Sequence, residues 1–265
     1  INFSNCSHSK AEETRILAIR KIFADDTWAL WGSLNKLLPT LAEAAPDEFL
    51  SIVEGSLKKE VCPFAELFAQ ESTGITGNNY LTGLFWALES LAWSETYFIR
   101  ACLLLAGLAK IDPGGRWANR PINSLATILL PWMPQTQASI EKRKASVKTL
   151  FKEYPEVAWE LIIQLLPNRQ QTSSGSHKPK WLLDIESSPP SSVSRTEYWE
   201  QASYYAELAV AESRHDITRL SALIQDFDNL TQPALEKLIQ ALKSDEITNL
   251  PEKQPYIGKI GKSFL

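Results

Sequence analysis

The sequence predicts an all-α fold. Three observations carry that expectation: apolar residues recur at three- and four-residue spacing, strand-like alternation is missing, and prolines mark the first turns of successive helices. In "TRILAIRKIF", Ile16, Leu17, Ile19, Ile22 and Phe23 form a broad apolar stripe, continued by Trp28, Leu30, Trp31, Leu34, Leu37, Leu38 and Leu41. "AAPDEFLSIVEGSL" from Ala44, "EYPEVAWELIIQLLP" from Glu153 and "LTQPALEKLIQALKS" from Leu230 each place a proline at or near a first turn. There its missing N–H costs nothing and its fixed φ suits the helix. Acidic residues close behind complement the positive end of the helix dipole. "SETYFIRACLLLAGLAK" from Ser94 reads as a fourth start, with Ser94 as cap.

Each such helix follows another amphipathic stretch, so the unit is helix, short turn, capped helix, at unequal intervals. One antiparallel pair cannot bury its own apolar face, whereas stacked pairs share a continuous core. The expected architecture is therefore an irregular α-solenoid of HEAT-like helix pairs, with a compact α-helical bundle as the alternative. A Ser-, Gly- and Pro-rich stretch divides the chain into an N-terminal helical region (1–167), an irregular loop (168–197) and a C-terminal helical region (198–265) expected to pack on the same array.

With 265 residues, 44% hydrophobic and 22% charged, the composition is that of an ordinary globular protein. A formal net charge of −4 disfavours nucleic acid and anionic lipid as bulk partners. The three cysteines, Cys6, Cys62 and Cys102, are far apart and form no CxxC pair, which argues against a disulfide framework or zinc site and for a reducing, cytoplasmic setting. The longest apolar stretch, Phe98 to Leu108, is too short to span a bilayer and contains Arg100, so no membrane association is expected. The chain opens on Ile-Asn-Phe and closes without an obvious helix terminator, which reads as a piece of a longer protein.

Three connectors hold the candidate functional residues. In "IDPGGRWANRPINSL", residues 111–125, glycines and arginines suggest a phosphate cradle, but GxxxxGK[ST] order, a preceding strand and a lysine after the glycines are all missing. A helix stop at Lys110 and a fresh cap at Asn123 or Ser124 explain the turn. Arg116, Trp117, Asn119 and Arg120 are left over as candidate partner-binding residues, or as pins between repeats. "LPWMPQTQASIEKR" from Leu130 holds the chain extended until Thr136 or Ser139 caps a helix, with Trp132 as an anchor. The third connector, from Pro167, carries His177, Lys178, Lys180 and Trp181, a basic and aromatic tip suited to an acidic partner or phosphate. The preceding helix adds Lys142, Arg143, Lys144, Lys148 and Lys152, readable as a solvated face or a basic groove over residues 141–181.

Catalytic patterns are weak. His8, His177 and His215 form no HxH or HxxxH pair, GxSxG is missing, and Asp25, Asp26, Asp245 and Glu246 sit where helix capping explains them, so neither catalytic nor metal-ligating residues nor a cofactor are expected. Of nine tryptophans, Trp28, Trp31, Trp86, Trp93, Trp159 and Trp199 fall in helical stripes and are expected in the core. Trp117, Trp132 and Trp181 lie in connectors, as loop anchors or contact residues.

The strings "DPGGRWANRPINSL" and "LPWMPQT", followed by a helix and "YPEVAWELIIQLLP", resemble a recurring helical segment of very large bacterial STAND-type NTPases associated with anti-phage defence. The likeness covers chiefly residues 100–170, and "ALKSDEITNLPEK" resembles the continuation. It implies a place in a helical-repeat sensor or scaffold that recognises a foreign protein or contacts other domains of a longer chain. This chain has no Walker motif, and no catalytic residue carries over. Two functional expectations follow: a non-catalytic helical-repeat module that binds a protein partner, or an all-α nucleic-acid-binding or enzymatic domain using residues 141–181.

Overall fold

A computed structural model describes residues 10–70, 79–115, 117–168, 171–182 and 193–243. Among these residues the chain is all-α, with thirteen α-helices, one 3-10 turn and no strand. In chain order the helices are α1 (Lys10–Ile22), α2 (Trp28–Ser33), α3 (Leu38–Ala44), α4 (Pro46–Leu57), α5 (Pro63–Ala69), α6 (Thr82–Ala92) and α7 (Phe98–Ile111). They continue as α8 (Pro121–Leu129), α9 (Ile140–Glu153), α10 (Pro155–Leu165), α11 (Arg195–Ser213), α12 (Ile217–Gln225) and α13 (Gln232–Lys243).

Helix starts follow the proline logic and extend it. Pro46 and Pro155 sit in first turns as expected, and Pro39, Pro63 and Pro121 do the same for α3, α5 and α8. The start expected at Ser94 is displaced: Ser94 is buried in a turn whose carbonyl accepts from the N–H groups of Tyr97 and Phe98, and α7 begins only at Phe98. Likewise α8 begins at Pro121, so Asn123 and Ser124 lie inside the helix instead of capping it. Ser139 does cap α9, accepting from the Lys142 N–H.

Packing follows from α7, the most apolar long helix, which touches α4, α6, α8, α9 and α10. Phe98, Ala101, Cys102, Leu105, Ala106 and Leu108 are buried on it. Gly107 allows close approach, since a Cβ there would lie 3.2 Å from Leu57 and 3.3 Å from the Tyr154 hydroxyl. On one side α1 packs on α4, α4 on α7, α7 on α9, α9 on α11 and α11 on α13. Alongside, α3 packs on α6, α6 on α8, and α8 on α10. One apolar cluster runs from Ile19 to Ala241.

At the N-terminal end, Trp31 is buried against Phe23, Phe64 and Phe49, with ring centroids 4.4, 4.9 and 6.1 Å away. Its indole N–H donates to Asp26 at 2.6 Å, and the same carboxylate accepts from the Ser56 hydroxyl and pairs with Lys59 at 2.7 Å. Asp26, at φ 31°, thus ties the α1–α2 turn to the end of α4, a role that helix capping does not describe. Burial raises its pKa, but the hydrogen bonds from Lys59, Trp31 and Ser56 together outweigh burial and hold it below the ordinary carboxylate value.

The tryptophan expectation needs correction. Trp31 and Trp93 are buried, but Trp28, Trp86 and Trp199 are exposed and Trp159 is half-buried. Helical spacing sets the direction of a side chain but not whether a second layer covers it.

The tightest approach joins α6 to the turn before α3. A Cβ on Gly83 would lie 1.6 Å from the Asn35 carbonyl oxygen, and the Gly83 N–H donates to Asn35 Oδ1 at 2.5 Å. Because the obstructing atom is backbone, it cannot rotate away. Gly83→Ala is expected to destabilise the fold by at least roughly 3 kcal/mol, read as a lowered midpoint in chemical denaturation.

Candidate functional site

The connector after α7 is built around a buried ion pair. Asp112 follows the last residue of α7, and its Oδ1 accepts from the Gly114 N–H at 2.9 Å and from Arg120 Nη1 at 2.8 Å. Gly114 and Gly115 take positive φ, which closes the turn. Arg120 is 5% exposed, so the expectation that it contacts a partner is corrected: it clasps the two ends of its own loop. Asn119 is half-buried and its carbonyl accepts from Asn79 Nδ2 at 3.3 Å, while the Asn79 carbonyl accepts from Asn35. Trp117 is half-buried, and Arg116 lies outside the described residues.

The second connector reads back onto α6. Thr136 donates to the Ala92 carbonyl at 2.7 Å, and the Gln137 N–H donates to the Trp93 carbonyl at 3.0 Å. Trp132 is partly exposed, its indole N–H donating to Gln171 at 3.0 Å. Gln135 is buried and turns its side-chain oxygen outward, to the N–H of Ser176.

That contact introduces the third connector, which is no free tip. Residues 171–182 run over α6 and α3 without regular secondary structure, turning at Gly175 and again at 180–181, and are held by their main chain. The His177 N–H donates to Glu89 at 2.7 Å, and the N–H groups of Lys180, Trp181 and Leu182 converge on one Glu43 oxygen at 2.8, 2.5 and 3.3 Å. In return Trp93 Nε1 donates to the Ser176 hydroxyl and the His177 carbonyl, at 3.0 and 3.2 Å. The His177 imidazole stacks on Trp86, with centroids 5.2 Å apart and planes 10° from parallel. The Lys178 ammonium lies 4.9 Å from the Trp93 ring centroid, a cation–π distance. Lys178 and Lys180 are exposed, and Trp181 is 70% exposed.

Glu43 and Glu89 are each 7% exposed, so their charges have left water and depend on these donors. Burial pushes the Glu89 pKa up, against the His177 N–H and the Ser124 hydroxyl, which donates at 2.6 Å. Burial lowers the His177 pKa, aided by Lys180 and opposed by Glu43, which favours a neutral imidazole at pH 7. Neither glutamate is singled out by local pattern. The signal was a lone carboxylate inside an apolar helical run, in "LAEAAP" and "FWALESLAW".

The basic face of α9 is largely neutralised. Arg143 is buried and paired with Glu197, Lys144 with Glu200 and Glu141, and Lys142 with Glu95 at 3.1 Å. Lys144 also lies 5.5 Å from the Tyr204 ring centroid. Among the described residues, Lys142, Arg143 and Lys144 are thus engaged by carboxylates of the same molecule.

No group of three His, Cys, Asp or Glu side chains among the described residues is placed to hold a metal ion. Cys62 and Cys102 are free thiols, and burial pushes the Cys102 pKa up to about 12, which makes it a packing residue and a poor nucleophile. No described helix is long and apolar enough to cross a membrane.

Removing one partner of the buried Asp112–Arg120 pair strands the other charge, so Arg120→Ala is expected to cost roughly 3 kcal/mol of stability in denaturant titration. Glu89 supplies a pH test. Its folded pKa is raised above the unfolded value, so its neutral form contributes stability at low pH. That contribution is lost as pH rises through the folded pKa. Glu89→Gln is therefore expected to gain in melting temperature relative to wild type as pH rises above the ordinary glutamate value.

Compared with known proteins, the chain matches no family, no curated protein and no solved structure.

Proposed function

We propose that this chain is a non-catalytic interaction module, an irregular α-solenoid of stacked helix pairs whose surface binds another polypeptide. The observation that carries the reading is the capture of an irregular segment through its main chain. Side chains from α3, α6 and the α8–α9 connector converge on the amides of 176–182. A surface that already holds one irregular segment through its backbone groups is chemically equipped to hold polypeptide. Two rows of helices, each packing on the next of its row, support the solenoid over the bundle. The resemblance of "DPGGRWANRPINSL" and "LPWMPQT" to STAND-type defence proteins fits a sensor or scaffold segment that meets a foreign protein or other domains of its own longer chain. Free thiols at Cys62 and Cys102 fit a cytoplasmic setting.

The nucleic-acid alternative is disfavoured by the pairing of Lys142, Arg143 and Lys144 with carboxylates. Affinity purification with the full chain as bait distinguishes the two. A protein retained after nuclease treatment and about 0.5 M salt is the expected result. Retention that disappears with nuclease or salt, together with a DNA or RNA mobility shift at low salt, would contradict it.

A further inference from the structure

The groove between Glu43 on α3, Trp86 and Glu89 on α6, Trp93 and Gln135 holds residues 173–182 in a manner that looks exchangeable in chemical terms. Most of its hold on the segment is polar and reads only the backbone. Five N–H groups, those of Ser176, His177, Lys180, Trp181 and Leu182, are accepted by three side chains, and one carbonyl accepts from Trp93. Such contacts are available to any peptide whose backbone can turn three successive N–H groups onto one carboxylate oxygen, as 180–182 do. Side-chain selection is confined to two stations: a flat ring over Trp86 and a cation over Trp93.

The segment adds little to the core beneath it. Leu182 packs on the apolar cluster, whereas Lys180 and Trp181 are exposed and Lys178, also exposed, lies over the Trp93 ring. Leu38, Leu84, Leu88 and Leu91 of α3 and α6 are buried in the main cluster. Among the described residues, clefts continue the groove at both ends. One of about 460 Å³ is bordered by Trp93, Trp132, Met133 and Lys178, and one of about 430 Å³ by Arg15, Glu48, Tyr97 and Trp181. The Glu43 carboxylate lies at the groove floor, which matches a cationic guest.

We infer that this groove is a docking site for a basic and aromatic peptide segment of another protein that follows the irregular path of residues 173–182, and that those residues occupy it in cis as a built-in competitor. The inference rests on the interaction-module reading and specifies where that module binds and what it selects. The preferred guest places an aromatic or imidazole ring, then a Lys or Arg, in the register of His177 and Lys178, with free N–H groups three to five residues after the ring position, as Lys180, Trp181 and Leu182 stand to His177. A tethered competitor at millimolar effective concentration keeps weak guests out and admits a partner that makes further contacts in the flanking clefts.

The test uses the full chain and a fluorescein-labelled peptide of residues 172–182, TSSGSHKPKWL, followed by fluorescence anisotropy. His177→Pro combined with Trp181→Pro removes two of the N–H groups that hold the segment and leaves Glu43, Glu89, Trp86 and Trp93 intact. The peptide is expected to bind this variant at least about tenfold more tightly than wild type, because the cis competitor is weakened. Adding Glu43→Gln is expected to weaken that binding by about tenfold, since the charge-assisted acceptor of three N–H groups becomes neutral. A scrambled peptide of the same composition that binds equally well would overturn the register, and no binding to a variant that still melts cooperatively would overturn the site. Should the proline variant not fold, amide exchange on the wild-type chain decides. Excess peptide is expected to accelerate exchange at His177, Lys180, Trp181 and Leu182, and unchanged exchange would overturn the proposal. A protein partner retained in the purification while the peptide fails in these assays would reject this groove and leave the interaction module standing.

Discussion

Two carboxylates withdrawn from water govern the surface of this molecule. Glu43 and Glu89 sit on neighbouring helices, and burying a charge is tolerated only where fixed donors replace the lost hydration. Here the donors are backbone amides of a segment far along the chain; Lys180 lies 137 residues from Glu43. The carboxylates therefore determine where the segment lies, and the segment in turn keeps them satisfied. Trp86 and Trp93 depend on the same arrangement, because the His177 ring covers the first and the Ser176 hydroxyl and His177 carbonyl take the indole N–H of the second. Beneath this layer the helix array is sustained by ordinary apolar burial around α7.

The same logic applies to the basic residues of α9. Arg143 and Lys144 on α9 face Glu197 and Glu200 on α11, and the resulting pairs are seams between helices that pack on one another although α10 lies between them in chain order. Arg120 is likewise consumed by Asp112, closing a loop whose glycines supply the turn. Charge in this protein is spent on holding helices and connectors in register, which agrees with a net charge near neutrality.

What was legible in the sequence was local. The prolines at 46 and 155 and the cap at Ser139 follow from chemistry within a few residues, and the structure places them accordingly; of the first two stripes Ile19, Phe23, Trp31 and Leu38 are buried, whereas Leu17, Ile22, Trp28 and Leu37 are exposed. Errors arose where a local rule met a distant neighbour. Ser94 has the composition of a cap but is buried in a turn ahead of Tyr97, and Ser124 has it too but donates to Glu89 from inside a helix. Trp86 has core spacing but faces outward to His177. His177, Lys178 and Trp181 were recognisable as unusual residues in a polar loop, yet nothing within that loop shows that its amides are the groups being held. The pairing of a carboxylate in α3 with amides beyond residue 179 has no periodicity to betray it.

The account stands on the segment lying across α6, and the stacking of His177 on Trp86 reports it most directly. In a proton nuclear Overhauser spectrum of the full chain, cross-peaks between the His177 imidazole and the Trp86 indole are expected, with the Trp93 indole proton protected from exchange. A spectrum with both rings assigned, no cross-peak between them and a freely exchanging Trp93 indole proton would contradict it.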